Sequence, residues 1–412
     1  MQAVTRRTFI RGGATVLSVG LAMPSVFTRA VVQAAGAAGS GASDRVLLVV
    51  QMAGGNDGLN TVIPYRDPLY RQARPKQAIA EPDLLVLDGD HALHPALAPF
   101  KALWDGGELA IVEGVGYPRP SLSHFESMDV WQTADPERKA KGGWLASLVE
   151  GSSEEGGHPF AGLSVGRNLP PALCCPRVAP PSLDDVRSYR LNPDPRYARE
   201  TAREEALLRL YRSYTPPAPY AAVLDGTARG ALESAATLQQ MVADYVPAVT
   251  YPEEAFARSL QLMAQAIDRL PGLRVGHVFI GGFDTHANQG PTHARLLGSL
   301  AGGLAAFQAD LAAHGHAGRV VTMTWSEFGR RVNENASAGT DHGMAGPMFL
   351  LGQPVRGGFH GEPSPLSRLS GGNLGYTTDF RAVYSAVFEQ WLGVEARDVF
   401  PEPVPALPLL RA

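Results

Sequence analysis

Acidic, imidazole or hydroxyl side chains follow several short apolar runs of the sequence and, at 341–342, precede one. These residues are Asp57, Ser123, His124, Asp284, His286, Glu327, Asp341 and His342. Aspartate oxygen and histidine nitrogen bind Zn²⁺ and similar ions, and two neighbouring ions can hold both the attacking and the leaving oxygen of a displacement. Carboxylates brought together also repel one another unless cations lie between them. The set therefore predicts a site for divalent metal ions.

Each motif also has a purely structural interpretation. The glycine-rich segment 54–58 consists of common turn residues, and segments 284–286 and 341–343 are compatible with ordinary turns. Ser123 and Glu126 have the spacing of a helix capping box. A hydroxyl at that position can equally act as a nucleophile, and a helix N-terminus favours phosphate or sulfate. Spacing alone leaves both interpretations open, and the shared position after strands favours the metal site.

The elements that must position these residues follow from the apolar pattern. Continuous apolar runs predict strands buried on both faces, at 45–52, 109–113, 274–280, 319–325 and 347–351. Apolar spacings of three and four predict helices, at 253–270, 292–314 and 379–392, with further helical segments at 203–214 and 221–245. Strands alternating with helices predict an α/β fold with a mostly parallel sheet. In such a sheet the loops at the carboxyl ends of the strands form the ligand crevice.

The N-terminus has the pattern of an export signal. Arg6 and Arg7 precede a weakly apolar run of roughly 14 residues, which is shorter than the ~20 that a membrane-spanning helix needs. A stretch of small residues then extends to Ala42. This order predicts a twin-arginine signal peptide with its linker over 1–42. The alternative is a buried amphipathic first helix. The signal predicts a periplasmic or secreted protein that uses the twin-arginine translocase during export.

The remainder, 43–412, is predicted to be a single domain with a loop-rich excursion at about 150–200, over an edge of the sheet. Removing residues 1–42 leaves 32 basic residues against 40 acidic ones, a net charge near −8. Such a charge argues against nonspecific nucleic-acid binding. The two cysteines, Cys174 and Cys175, are adjacent, so they form no disulfide framework.

Six motifs, in order, carry a resemblance to a known family. They are GGNDGLNTVIPY at 54–65, HPAL at 94–97, SHFESMDVW at 123–131, GGFDTH at 281–286, SEFGRR at 326–331 and GTDHG at 339–343. The chain resembles, from about Val46 to Leu392, the exported family called domain of unknown function 1501. That family lies within the alkaline-phosphatase-like superfamily, which also holds sulfatases and phosphomutases.

The resemblance implies an alkaline-phosphatase-like α/β sandwich, with a mostly parallel central sheet flanked by helices. It also implies one or two divalent metal ions, of Zn, Mn, Mg or Ca. The matching metal ligands are Asp57, Asp284, His286, Asp341 and His342. Ser123 is nearest to the nucleophile position, with Ser121 as the second choice, and His360 is the candidate for the final histidine ligand. The segment around Ser123 matches neither the phosphatase nor the sulfatase pattern, and its lack of cysteine disfavours a formylglycine sulfatase.

Two main hypotheses follow. In the first, the protein is an exported metal-dependent hydrolase of phosphate or sulfate esters, on a small molecule or a polymer. Ser123 then attacks or positions the anion, His124 and Glu327 handle protons or support the ligands, and Arg330 or Arg331 clamps an oxyanion. In the second, the protein is a non-catalytic exported binder of metal or polymer on the same fold. A weaker third hypothesis is a partner subunit of another exported protein.

Overall fold

The structure is a computed structural model. It describes residues 44–140, 142–151, 159–174, 180–186, 206, 209, 235, 237–243, 245–400 and 402–411. The predicted signal segment 1–42 lies outside the described residues, as do most of the predicted helices at 203–214 and 221–245. Cys174 is an exposed free cysteine, whereas Cys175 is outside the described part of the chain.

The strands are numbered in chain order. They are β1 (Val46–Ala53), β2 (Val62–Ile63), β3 (Leu85–Val86), β4 (Ala92–Leu93), β5 (Leu109–Gly116), β6 (Gly162–Val165), β7 (Ser182–Leu183), β8 (Val275–Gly281), β9 (Val320–Trp325), β10 (Gly346–Leu351), β11 (Gly358–Gly361), β12 (Leu369–Ser370), β13 (Asn373–Leu374) and β14 (Thr378–Asp379).

The helices are numbered in the same way. They are α1 (Pro68–Ala73), α2 (Ala98–Asp105), α3 (His124–Thr133), α4 (Ala146–Glu150), α5 (Ala255–Arg269), α6 (Gln289–Ala313) and α7 (Phe380–Ala386), which a π-helical turn continues over Val387–Leu392. Short 3₁₀ turns occur at Gly58–Asn60, Glu81–Asp83, Pro95–Leu97, Pro159–Ala161, Pro171–Leu173, Ala317–Arg319 and Ala396–Asp398.

Nine of these strands form one mixed sheet, in the order β11-β5-β10-β9-β1-β8-β6-β7, with β14 also paired to β5. β1 is parallel to β8 and β9, and β6 is parallel to β8. β10 is antiparallel to both of its neighbours, β5 and β9. Because two reversals restore the original direction, β5 runs the same way as β9, β1 and β8. The carboxyl ends of these four strands therefore lie along one edge.

β1 shows why the centre of the sheet forms where it does. Its residues Val46 to Val50 are fully buried. Val46, Leu48 and Val50 belong to the apolar core on one face, and Leu47 and Val49 belong to the core on the other face. A strand that is apolar on both faces is stable only where helices cover both sides of the sheet. Helices α5 and α6 supply one cover, and α3 and α7 supply the other.

Helix α6 is the central core helix of the first face. Its residues Leu296, Leu300, Leu304, Phe307 and Leu311 are buried at spacings of three and four. By length and composition it is also, among the described helices, the one that could cross a membrane, and 56% of the stretch concerned is buried inside the protein. Burial on that scale is typical of the core helix of a globular domain.

The predicted α/β fold, with a mostly parallel sheet flanked by helices, is confirmed. The five predicted strands correspond to β1, β5, β8, β9 and β10, and the predicted helices 253–270, 292–314 and 379–392 to α5, α6 and α7 with its π-helical turn. The segment 150–200 differs in detail, because its described residues extend the sheet through β6 and β7. These strands are too short to produce a recognisable apolar pattern.

Candidate metal centre

Loops at the carboxyl edge of the sheet supply the candidate site. Ala53 at the end of β1 pairs with Gly281 at the end of β8, and Gln51 pairs with Trp325 at the end of β9. The loops that follow therefore leave the sheet at nearly the same level. Gly54 allows a close approach of two of these loops, because a Cβ at this position would lie 2.4 Å from the backbone nitrogen of Asp284. Gly54 also has φ of +121°, which side chains of L-residues rarely adopt.

Three predicted residues meet at this edge. His124, Asp284 and His342 each offer a ligand atom, and all three atoms lie within 4.8 Å of one another. His342 Nε2 is 3.0 Å from Asp284 Oδ1, and His124 Nε2 is 3.5 Å from Asp284 Oδ2. They come from the start of α3, the loop after β8 and the loop before β10. We refer to these residues, together with His286, as the histidine cluster.

His286 completes the histidine cluster. Its Nε2 lies 2.9 Å from Asp284 Oδ1 and 3.0 Å from His342 Nε2. Its other nitrogen, Nδ1, lies 3.2 Å from Asp341 Oδ1. Asp341 therefore supports the cluster from outside, and its hydrogen bond with His286 lowers the pKa of its carboxyl group. An ionised Asp341 can only accept, so Nδ1 of His286 donates.

The other two imidazoles are held in the same way. His342 Nδ1 is 2.8 Å from the carbonyl oxygen of Leu122, and His124 Nδ1 is 2.8 Å from Glu327 Oε1. A carbonyl or an ionised carboxylate accepts, so each Nδ1 carries a proton. The Nε2 of each ring then presents a lone pair to the centre when the ring is neutral, and donates to the Asp284 carboxylate when the ring is protonated. The Nε2 atoms of His286 and His342 face each other at 3.0 Å, with a lone pair on each if both rings are neutral. They repel unless a proton or a metal cation lies between them.

Glu327 is fully buried beneath the cluster. Its Oε1 accepts from the backbone N–H of Gly54 at 2.8 Å as well as from His124. The same group thus fixes the loop after β1 and the orientation of the imidazole. Carboxylates that hold a metal-binding histidine through its second nitrogen are typical of metal sites. The ring of the next residue, Phe328, packs at a tilt against the rings of His124 and His342, with centroid distances of 4.9 and 4.5 Å.

Arg330 holds Asp284 in place from below. Its buried guanidinium donates to Asp284 Oδ1 at 2.7 Å and to the carbonyl oxygens of Gly55 and Thr340 at 2.7 and 2.8 Å. Burial raises the pKa of Asp284, but the hydrogen bonds from Arg330 and His342 outweigh it and bring this pKa to about 2. Arg330 is therefore engaged inside the protein and does not clamp a ligand oxyanion.

Asp57 is not brought to the histidine cluster. Its carboxylate is 1% exposed and forms a two-pronged ion pair with Arg74, at 2.5 and 3.0 Å. Gln289 also donates to Oδ2. Burial raises the pKa of Asp57, but the charge of Arg74 outweighs it and the pKa is lowered. Next to this pair, His293 Nε2 lies 2.9 Å from Asn56 Oδ1. We refer to these five residues as the buried network.

In the sequence, Ser123 lies between Leu122, whose carbonyl oxygen contacts the cluster, and His124, which belongs to it. It is exposed and occupies the N-cap position of α3, yet its side chain makes no capping hydrogen bond. The capping-box interpretation is therefore wrong, because Glu126 instead accepts from Ser121 Oγ at 2.7 Å. The hydroxyl of Ser123 remains available next to the cluster, and no structural role in the described part of the chain accounts for it.

The remaining candidates are placed elsewhere or left exposed. His360 lies on β11, where its Nε2 contacts the carbonyl oxygen of Arg356 at 2.7 Å, and it is not among the clustered residues. Arg331 is exposed and its charge acts on Asp341. The sequence did not reveal the roles of Leu122, whose contribution is a backbone carbonyl, or of Phe328. The position of Phe328 directly after Glu327 was the only available signal.

Comparison with known proteins identifies a family and a distant structural likeness. Residues 111–370 match the family described as "Protein of unknown function (DUF1501)". No curated protein matches the sequence. Among solved structures, the chain is similar to the lipoteichoic acid synthase LtaP from Listeria monocytogenes, with 8% identity, a TM-score of 0.34, and coverage of 93% of this chain and 78% of that one.

Two further solved structures show a likeness of the same order. The PsFucS1 sulfatase from Pseudoalteromonas sp. has 11% identity and a TM-score of 0.37, over 85% of this chain and 68% of that one. The protein Ps i-CgsB, in complex with k-i-k-neocarrahexaose, has 8% identity and a TM-score of 0.37, over 87% and 75%. These values describe a remote similarity, and no activity follows from them.

Proposed function

The chain belongs to the DUF1501 family of proteins of unknown function, and we propose that it is an exported, metal-dependent hydrolase of phosphate or sulfate esters. One observation carries the proposal: the Nε2 atoms of three oriented imidazoles face the carboxylate of Asp284 at an accessible edge of the sheet. Imidazoles that are held through one nitrogen by a carboxylate or carbonyl and turn the other nitrogen toward a carboxylate are the usual form of a metal site.

The residues present fit a divalent metal ion. His124, His286 and His342 would bind it through Nε2, with Asp284 as the oxygen ligand. Of Zn, Mn, Mg and Ca, a centre rich in imidazole fits Zn²⁺ best, because Mg²⁺ and Ca²⁺ prefer oxygen ligands. The clustered atoms support a single ion. Such an ion supplies Lewis acidity and can lower the pKa of a bound water.

The chain itself would supply orientation and a nucleophile. Glu327, Asp341 and the Leu122 carbonyl fix the three imidazole rings, which keeps the ligand nitrogens in place. Ser123 presents a hydroxyl with no other described role beside His124, and we propose that it attacks or positions the ester. Arg331 is the exposed cation nearest in sequence to Asp341, and it would attract the negative charge of the ester.

Elemental analysis of the purified protein tests the metal site directly. We expect about one Zn²⁺ per chain in the wild type, none in His342→Ala, and an unchanged content in the control His360→Ala. Hydrolysis of a panel of aryl phosphates and sulfates should be lost in His342→Ala and in Ser123→Ala. Wild-type protein that binds no metal on titration, or a His342→Ala variant that retains it, would contradict the assignment.

Export remains part of the proposal and rests on the N-terminal pattern around Arg6 and Arg7. Replacing both with lysine should keep the charge and still leave the precursor in the cytoplasm, because the pathway recognises the arginine pair. Fractionation of cells that express the two forms measures how much precursor stays in the cytoplasm and how much processed protein leaves it. Equal amounts of processed protein outside the cytoplasm would remove the twin-arginine route from the proposal.

A non-catalytic metal-binding protein is the second candidate, and one observation favours it. Asp284 Oδ1 is already shared by Arg330, His286 and His342, and Asp57 is absent from the cluster. If the metal has no open coordination position, as in structural zinc sites, such a crowded site is closed to substrate. Metal uptake without turnover of any ester in the panel would select this candidate.

A further inference from the structure

A cavity of about 370 Å³ lies beside the candidate metal centre. This volume falls within the range of roughly 300–1,000 Å³ that is usual for small-molecule sites. It opens at the same edge of the sheet, between the end of β5, which contributes Glu113 and Gly114, and the start of β10, which contributes Gly346 and Pro347. None of the roles described so far uses it.

The cavity is next to the histidine cluster but separate from it. Gly346 and Pro347 also line a smaller hollow, whose other wall includes Phe328. The ring of Phe328 packs against the rings of His124 and His342. Pro347, the smaller hollow and Phe328 therefore lie between the two regions. A ligand in the cavity does not need a metal ion for binding.

The floor of the cavity is apolar and its wall is acidic. Leu59, Val62, Pro347, Leu366 and Leu374 supply aliphatic surface. The ionisable residues that line the cavity are Arg66, Asp67, Asp90, His91 and Glu113. The lining thus contains three carboxylates and one residue of fixed positive charge. That residue, Arg66, has its guanidinium carbon 5.0 Å from the centre of the Tyr65 ring.

Glu113 and His91 form the polar centre of the acidic wall. His91 Nε2 is 3.4 Å from Glu113 Oε1, and its Nδ1 is 3.3 Å from Asp88 Oδ1. Burial raises the pKa of Glu113, His91 acts in the opposite sense, and the charges of Asp88 and Glu362 raise it further. The anion of Glu113 is therefore short of positive partners, a deficit that a bound cation would relieve.

We propose that this cavity is a second binding site, which takes an organic cation: an ammonium or guanidinium group on an apolar stem. The stem lies on the aliphatic floor, and the cationic group lies between Glu113 and Asp90. Apolar burial supplies affinity in such sites, and a few placed charges supply orientation and selectivity. The proposal is independent of hydrolysis, since it concerns residues outside the histidine cluster.

Calorimetric titration of the full chain with phenethylamine and its neutral analogue 2-phenylethanol tests the proposal. Both are measured with a chelator present, so that the result does not depend on the metal centre. A charge-assisted hydrogen bond contributes about 1.5–3 kcal/mol, so phenethylamine should bind about tenfold more tightly, or better. Equal affinities, or no binding of phenethylamine up to millimolar concentration, would overturn the cation site.

Variants assign the effect to the cavity. Asp90 is exposed at the rim, so Asp90→Lys should fold normally and place a competing ammonium at the entrance. We expect it to weaken phenethylamine binding about tenfold and to leave 2-phenylethanol unchanged. Glu113→Gln should also weaken the binding of phenethylamine. The control is Asp83→Asn, an exposed carboxylate outside the lining; an equal loss there would show nonspecific attraction and reject the site.

Discussion

The histidine cluster and the buried network each contain histidine and an aspartate that follows a pair of glycines, yet the two aspartates are used in different ways. In the network, the buried Asp57 carboxylate accepts hydrogen bonds from Arg74 and Gln289. In the cluster, the Nε2 atoms of His286 and His342 lie 3.0 Å apart and face the half-exposed carboxylate of Asp284. The comparison shows that the capacity to bind a ligand depends on which nitrogen and oxygen atoms the fold leaves facing an accessible edge. Residue type alone does not reveal this.

The largest effect should come from breaking the buried network. Arg74→Ala leaves the Asp57 carboxylate buried without its partner, which typically costs about 3–5 kcal/mol in the free energy of unfolding. The control Lys101→Ala removes an exposed ion pair with Asp105 and should cost no more than about 1 kcal/mol. Urea denaturation measures both. Similar losses in the two variants would mean that the network is not a structural element.

The second-largest effect should come from lowering the pH, which destabilises the buried network through His293. Burial lowers the pKa of His293 to about 4, more than the nearby charge of Asp57 raises it. The unfolded state then binds protons more readily below about pH 6.5, so stability falls as the pH drops from there toward 4, by up to about 3 kcal/mol.

The substitution His293→Gln separates this effect from general acid denaturation. It should flatten the decline of the unfolding free energy over that interval, although His277, which burial also brings to a pKa of about 4, will retain its own contribution. Denaturant titrations at a series of pH values provide the comparison. An unchanged slope would show that His293 is not held neutral by the fold.

The smallest effect should come from weakening the hydrogen bond that holds His286 in the histidine cluster. Asp341→Asn weakens the acceptor for His286 Nδ1 and should lower Zn²⁺ affinity about tenfold, at the mild end of the range for such partners. Because Asp341 is exposed, the unfolding free energy without metal should change by less than about 0.5 kcal/mol. The control is Asp398→Asn, another exposed carboxylate; a large loss of stability in Asp341→Asn would place Asp341 with the buried network.

The fold could be predicted because its signals are local and strong. The uninterrupted apolar run of β1 indicates a central strand, and the spacing of Leu296, Leu300 and Leu304 in α6 indicates a helix against the sheet. The strand β6 could not be predicted, because a four-residue strand has neither the length nor the alternation of a recognisable pattern. The reversed direction of β10 was also hidden, since burial on both faces does not encode orientation.

The site could be predicted only in part. Asp284, His286 and His342 follow strands whose ends share one edge, so their meeting follows from topology. Asp57 satisfies the same rule, but its partner Arg74 lies in no motif and appears only after the chain has turned back through α1. The acceptor for His342 is a backbone carbonyl, at Leu122, and no side-chain pattern can indicate it.

The antiparallel placement of β10 beside β9 has a consequence for the order of folding. One connection leaves β9 and returns to the same edge, and it carries Glu327, Arg330, Asp341 and His342. These contacts are close in sequence, whereas the pairing of β1 with β8 must close a loop of more than 200 residues. Since loop closure slows non-local pairing, we expect this half of the centre to gain hydrogen-exchange protection before the β1–β8 pairing does.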